Sequence, residues 1–485
     1  MGYFSIILYL ALYYVRPAEW IPGVSMLRLN YIAIGIAIIA LINRERGLGL
    51  KEIFKTPHDT FMALFFLCYM WTAPGGNVIA VLGGVYVLFV FYWVTLLTLN
   101  TIPRLLQFLH WWTFFIIFIA ALAVASEFGI DPTGTFDWTH GRQLGRLSLN
   151  LSIFNNPNAT GHSVAPVVAM IYFTAFWKRP IFSRVLSPLA LVIPLYCIFL
   201  TSSKGAFLSG FATIINAFTF KRPLAIQIAI FVLAGTMGWA AMQTLPRMQE
   251  LKSSRQNEGI QGRVRAFRMG LDIMESRIRG SGYGTFVFEF EKRYHYPKSA
   301  HSSYVGIGTE LGKPGLYLFL GILYFCFRTL MSTKTTTDDE ERVRRVLFVL
   351  LISYVVSSWM IGWDNRVIYW LIAAACAAFH RIMLEKEQDR LAGETTTAAS
   401  TEIDVQPPPP ASLETPLPAL QHQAVTHTEL SSLPAAIAPV TSEEAAPTPT
   451  KPANLFYRTR WYDLVAIFFV LQITILFWRY MIKKM

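Results

Sequence analysis

The residue of this chain best suited to acid–base chemistry is His301, which heads the run His301-Ser302-Ser303-Tyr304 just before an apolar segment. An imidazole has an unperturbed pKa of about 6.5 and can take a proton from a hydroxyl near neutral pH. Upstream, Arg263 and Arg265 stand in GRVRAF at 262–267 and offer guanidiniums that suit phosphate oxygens. From Arg263 to Ile278 the chain reads as an amphipathic helix, because Val264, Phe267, Leu271, Met274 and Ile278 recur at helical spacing. Such a helix lies along a membrane surface. Arg263 and Arg268 border its apolar stripe, reaching either anionic headgroups or a lipid-linked phosphate.

Three more polar positions belong with these. Lys204, in Thr201-Ser202-Ser203-Lys204-Gly205, puts a cation at a tight turn between two apolar segments, where it either snorkels or serves a site. Arg142 follows Gly141 in a long polar stretch that ends in Asn155-Asn156-Pro157-Asn158. Asn158 either caps the helix that follows or contacts sugar, and capping is the simpler of the two. Gly280-Ser281-Gly282-Tyr283-Gly284 is a turn and no nucleotide fingerprint, since its spacing is wrong and no strand precedes it.

The elements that must position these groups are membrane helices. Of 485 residues, 54% are hydrophobic and only 15% charged, too apolar for a water-exposed globular surface. Apolar segments fall at 3–17, 27–43, 59–74, 78–100, 104–127, 163–177, 184–201, 204–220, 223–244, 304–328, 346–362, 367–384 and 464–482. Several need neighbours or interfacial aromatics to complete a crossing of roughly 30 Å. The expected fold is an all-α polytopic bundle of about twelve transmembrane helices over 1–385, with a large outer loop at 245–303. Residues 386–460, rich in Pro, Thr and Ala and including Pro407 to Pro410, read as a disordered cytoplasmic linker. The linker leads to one extra C-terminal helix within 461–485. The N-terminus lacks a basic n-region and a small-residue cleavage site, so the first apolar segment reads as a retained helix.

Charge sets the orientation. Arg44, Arg46, Lys51, Lys55, Arg104, Lys178, Arg179, Arg184, Lys221 and Arg222 all follow even-numbered spans, as do Arg328, Lys334, Arg342, Arg344, Arg345, Arg381 and Lys386. That side is therefore cytoplasmic, the N-terminus with it, and 128–162, 201–204, 245–303 and 362–366 face outward. The loop at 245–303 breaks the pattern with eleven cations, Arg247, Lys252 and Arg255 among them, against six carboxylates. A loop of that length translocates despite its charge, and its cations then need another purpose. A net charge of +12 held in short loops does not point to nucleic acid. Cys68, Cys197, Cys326 and Cys376 sit inside apolar runs without paired spacing, so neither disulfides nor a zinc site is expected.

Taken in order, these motifs resemble the O-antigen ligase family, bacterial membrane glycosyltransferases that include O-antigen polymerases and protein O-oligosaccharyltransferases. The carriers are GR at 141–142, FNNPN at 154–158, TSSKGAFLSG at 201–210, GRVRAF at 262–267, GSGYGTF at 280–286 and HSSYVGIGTELGKPGL at 301–316. The resemblance implies an inner-membrane protein with a periplasmic active site. It implies a glycan donor on undecaprenyl diphosphate, a lipid, glycan or protein acceptor, and no metal or other cofactor. His301 matches the motif histidine proposed to activate the acceptor hydroxyl, and Arg263 the loop arginine proposed to bind diphosphate, with Arg265, Arg142 and Asn158 as further substrate-binding positions. Lys204 stands where the family commonly has arginine, a point charge in place of a planar fork. The expected reaction is inverting transfer, with ligation ahead of repeat-unit polymerisation. The rival from another class, an anion transporter, lacks the intramembrane carboxylates and internal repeat of proton-coupled carriers. A third possibility, a scaffold recruiting partners through its Pro-rich tail, is compatible with catalysis.

Overall fold

The structure, a computed structural model, describes residues 2–42, 53–244, 258–362, 367–402 and 459–484, and the regular structure within them is helical throughout. The chain is an all-α polytopic membrane protein. Its helices are α1 (Gly2–Val15), α2 (Leu29–Ile42), α3 (Pro57–Trp71), α4 (Val78–Thr98), α5 (Ile102–Ser126), α6 (Pro157–Phe176), α7 (Ile181–Thr201) and α8 (Lys204–Thr219). They continue with α9 (Leu224–Thr244), α10 (Glu258–Ser276), α11 (Phe286–Tyr294), α12 (Ser303–Ser332), α13 (Asp338–Ser357), α14 (Val367–Glu402) and α15 (Trp461–Lys484). Among the described residues, seven are long and apolar enough to cross a membrane: α4, α5, α6, α7, α12, the Val367–Gly393 part of α14, and α15. Four of the other expected spans are shorter helices. α1 and α2 have 14 residues each, α3 has 15 and α8 has 16, and at about 1.5 Å per residue they rely on their neighbours or a thinned bilayer.

Residues 1–384 with 456–485 form one compact unit and 385–455 a second. In the second, the run Glu385-Lys386-Glu387-Gln388-Asp389-Arg390-Leu391 consists, Asp389 apart, of good helix formers and is helical. Residues 403–458, most of the expected linker, lie outside the described residues, as do Arg44, Arg46, Lys51, Arg247, Lys252, Arg255, Asp364 and Arg366. The four cysteines are buried and unbridged.

Two close approaches shape the site. At the first, α6 crosses the turn into α8: a Cβ on Gly161 would lie 2.7 Å from that of Ala206, and one on Gly205 would lie 2.6 Å from the His162 ring. Small residues bring the helix backbones together as they do in lipid, where packing, not hydrophobicity, drives association. Buried hydroxyls finish the crossing, with Ser209 and Ser353 3.0 Å apart and His162 Nδ1 2.8 Å from Ser357 Oγ.

The second is a break in α12. Gly312 has φ 68° and ψ −170°, a conformation open only to glycine. Pro314, lacking an N–H, leaves the Glu310 carbonyl without its helical donor. The glycine-rich segment after α10 fills the gap: Ser281 N–H donates to the Thr309 carbonyl and Gly282 N–H to the Glu310 carbonyl, each at 2.8 Å. What reads in sequence as a free turn is thus docked on a broken helix. The approach admits no side chain, because a Cβ on Gly280 would lie 2.4 Å from the Thr309 oxygen.

Helix α10 differs from the surface helix expected. It buries Ala266, Phe267, Met269, Gly270, Ile273 and Met274 against α12 and α15, while Ile278 lies beyond its end and is exposed. The buried face is wider than the stripe read from sequence, because Ala266 and Gly270 admit a second helix. Arg263 is carried inward with that face, and Arg265 and Arg268 stay exposed.

Candidate functional site

His301 occupies the hinge between loop and helix. Its backbone is left-handed, φ 50°, a conformation that costs a non-glycine residue about 1 kcal/mol or more. The residues after it fix that geometry. Ser302 caps α12, its hydroxyl donates to the Ser358 carbonyl at 2.9 Å, and Ser303 N–H donates to the same oxygen at 2.8 Å. Tyr304 Oη donates to the Val355 carbonyl at 3.0 Å. The polar side chains of this motif therefore satisfy carbonyls freed at the end of α13 and hold the imidazole in place.

The imidazole lines a cavity of about 400 Å³, in the size range of small-molecule sites. One wall is the Asn155, Asn156 and Asn158 turn; another is the face of α12 that carries Ser302, Gly306 and Glu310. Glu310 is buried, and its Oε1 accepts the Phe286 N–H at 3.1 Å, at the start of α11. The cap of α6 is Asn156, whose side chain accepts Asn158 N–H at 2.8 Å, and not Asn158. Asn158 looks elsewhere. Its Oδ1 accepts from Ser203 Oγ at 2.8 Å and from the Arg146 guanidinium at 3.2 Å. Arg146 also reaches the Thr201 carbonyl at 3.2 Å. The loop before α6 is thereby tied to the α7–α8 turn.

The cations fall into two groups. Arg263 is half-buried, and its positive charge reaches His301. Burial holds the Arg263 guanidinium below its ordinary value. Burial, then the charges of Arg263 and Lys298, bring the His301 pKa down to about 4. The imidazole is therefore neutral at pH 7 and able to accept a proton, with Nε2 3.2 Å from Ser299 Oγ. Lys204 is the first residue of α8, directly after the Ser203 that bonds Asn158. Arg265 and Arg142 are not brought in. Arg265 is exposed over the Tyr294 ring at 5.9 Å, and Arg142 stands 4.8 Å over Trp138. Trp138 in turn donates to the Asn155 carbonyl at 2.9 Å, so Arg142 is one residue removed from the cavity wall.

Two polar residues at the site are absent from the sequence reading. Arg146 lies in the polar stretch between Arg142 and Asn155, and Glu310 inside the His301 motif. Glu310 had a usable signal, since Ser302, Gly306 and Glu310 are spaced by four and share one helix face. Among the described residues, no three of His, Cys, Asp and Glu gather in a group that could hold a metal ion.

Fold and site define a polytopic helical membrane protein with a polar cavity at the head of a long broken helix, flanked by cations. Residues 158–320 match the sequence model of the O-antigen ligase family, and the resemblance to that family read from the motifs holds over that segment. The match takes in Asn158, Lys204, Arg263, Arg265, His301 and Glu310, and leaves out Arg142. At the level of the family it supports glycosyl transfer of the ligase or polymerase type, with lipid-linked glycans and membrane lipids as partners. No curated protein matches the chain.

Proposed function

We propose that this protein transfers a glycan from undecaprenyl diphosphate to an acceptor hydroxyl on the periplasmic face of the bacterial inner membrane, with ligation ahead of polymerisation. One observation carries the reading: His301 and Asn158 line the same cavity, while the charge of Arg263 reaches the imidazole. The acceptor oxygen attacks the anomeric carbon as the bond to diphosphate breaks, and the bonding pair leaves with undecaprenyl diphosphate. His301 takes the acceptor proton. Displacement in one step inverts the anomeric centre. Arg263, with Lys204, balances the charge that collects on the departing diphosphate, which fixed cations in a partly dry site do well. Arg265 and Arg142 act farther out, meeting the substrate at the rim.

Support also comes from the polarity of the cavity. Amide and carboxylate groups on two walls suit sugar hydroxyls, and no cation stands among the lining residues described. The sugar then occupies the cavity and the diphosphate lies toward Arg263. The test is transfer in vitro from a defined undecaprenyl-diphosphate-linked glycan, with and without chelator. Expected are activity in chelator, near-complete loss in His301→Ala, and a raised donor KM in Arg263→Ala. Wild-type turnover in His301→Ala removes the base assignment. Deleting the gene separates the two family reactions: a lost ligase strands long glycan on the carrier, whereas a lost polymerase leaves single repeat units on the acceptor.

A further inference from the structure

The last helix, α15, lies outside the segment that matches the family, yet it packs on both α10, which carries Arg263, and α12, which follows His301. It runs antiparallel to α12. At its start the buried Asp463 accepts from Arg328 at 2.7 Å and from Tyr324 at 2.9 Å, and the Leu464 carbonyl accepts from Tyr317 at 3.1 Å. A carboxylate buried at the end of an apolar helix is tolerated only when paired, and the pairing fixes the register of α15 on α12. Fifteen residues on, Trp478 is fully buried. Its ring fills the space that two glycines leave open: a Cβ on Gly308 of α12 would lie 3.0 Å from it, and one on Gly270 of α10 would lie 3.1 Å away.

Trp478 Nε1 also donates to the Phe267 carbonyl at 3.0 Å. Phe267 is four residues after Arg263, so the indole is bonded to the helical turn that begins with that arginine. Beside it, Arg479 pairs with Glu275 of α10 at 2.5 Å. Phe477 packs edge-on against Trp359 at 4.8 Å, and Trp359 lies 4.5 Å from the ring of Tyr304 in the His301 motif. One side of α15 thus reaches the Arg263 helix and the other the support of His301.

We propose that α15 is a working part of the site, a strut that sets Arg263 relative to His301, with Trp478 as its positioning residue. The functional half of this rests on the reading of Arg263 as the diphosphate-binding residue. The test uses the full chain, purified in lipid nanodiscs, in four forms: wild type, Trp478→Ala, Arg263→Ala and the double variant. Hydrogen exchange of the α10 amides reports docking without any substrate. Trp478→Ala should speed exchange in α10 about tenfold, the equivalent of about 1.4 kcal/mol, and leave the middle of α12 unchanged. Unchanged exchange in α10, or equal loss of protection throughout the bundle, overturns the strut.

Transfer from the undecaprenyl-diphosphate-linked glycan is then measured on the same four forms. Trp478→Ala should raise the donor KM about tenfold with kcat little changed, and should add nothing to Arg263→Ala, because residues acting through one interaction are not additive. Fully additive losses overturn the positioning role. Failure of the parent reading looks different: Arg263→Ala then transfers at the wild-type rate while Trp478→Ala still loosens α10. Trp478→Phe, which keeps the ring and loses the N–H, should give a smaller effect in the same direction.

Discussion

The Ser203 hydroxyl donates to Asn158 Oδ1 across 2.8 Å and joins two turns that lie 45 positions apart in sequence. Asn158 is held from the other side by Arg146, so one amide oxygen ties the loop before α6 to the turn that presents Lys204. Asn158→Ala removes the acceptor from two buried or half-buried donors, and the fold should lose about 1–3 kcal/mol. Asn158→Asp keeps the acceptor and should retain the melting temperature. Its new negative charge faces the cavity, so transfer should still fall. Thermal unfolding and transfer measured together separate the roles, and an Asp variant with full activity would show that Asn158 serves only the fold.

The pH dependence follows from His301. In the proposed reaction the imidazole acts neutral, and its pKa in the free protein is brought down to about 4 by burial and by the charges of Arg263 and Lys298. The acid limb of kcat/KM, which reports the free enzyme, should therefore fall only as the pH drops through about 4. A bound diphosphate cancels the repulsion from Arg263, which raises the imidazole pKa. The acid limb of kcat should then lie at higher pH than that of kcat/KM, and the gap should shrink in Arg263→Ala. Coincident limbs in the wild type would mean that no anion binds near the imidazole.

Gly312 offers a test of the broken helix. A Cβ there would lie 2.1 Å from the Ile278 carbonyl, at a backbone conformation closed to other residues. Gly312→Ala should cost at least about 3 kcal/mol, seen as a lowered melting temperature and poor recovery from membranes. Gly35→Ala is the control. Open space surrounds that position on α2, and the change should stay within about 1 kcal/mol of wild type.

How far the sequence reveals this arrangement depends on the range of the interaction. Apolar runs announce the helices, because lipid demands a continuous hydrophobic stretch whatever the neighbours. His301 and Arg263 stand out by their place, one just before an apolar segment in HSSY and the other in GRVRAF at the start of an amphipathic run. Partner choice is another matter. Nothing local in Gly280 to Gly284 says that it docks on Thr309 and Glu310, although Gly312 and Pro314 do mark the place where a helix must lose its own donors. The burial of α10 is not legible, because a helix read alone shows one stripe, and the second partner, Trp478, lies more than 200 positions away. Asn158 reads as a cap, with sugar contact as the alternative, because the local motif fits a cap. Asn156 fits it better, and the long-range partners of Asn158 are invisible from the motif.

Glu310 gives the sharpest test of how the cavity divides its substrate. Among the described lining residues it is the one carboxylate, set deeper along α12 than His301. A carboxylate there repels diphosphate and accepts strong hydrogen bonds from sugar hydroxyls, which are roughly twice as strong as neutral ones. Glu310→Gln keeps an oxygen for the Phe286 N–H and changes little but the charge. The KM for the lipid-linked glycan should rise about tenfold, a loss of about 1.4 kcal/mol, whereas inhibition by undecaprenyl diphosphate alone should be unchanged. A variant with unaltered KM would leave Glu310 as the cap of α11 and nothing more. If instead inhibition by undecaprenyl diphosphate strengthens, the diphosphate lies on the Glu310 side of the cavity, and the polarity proposed for the site is reversed.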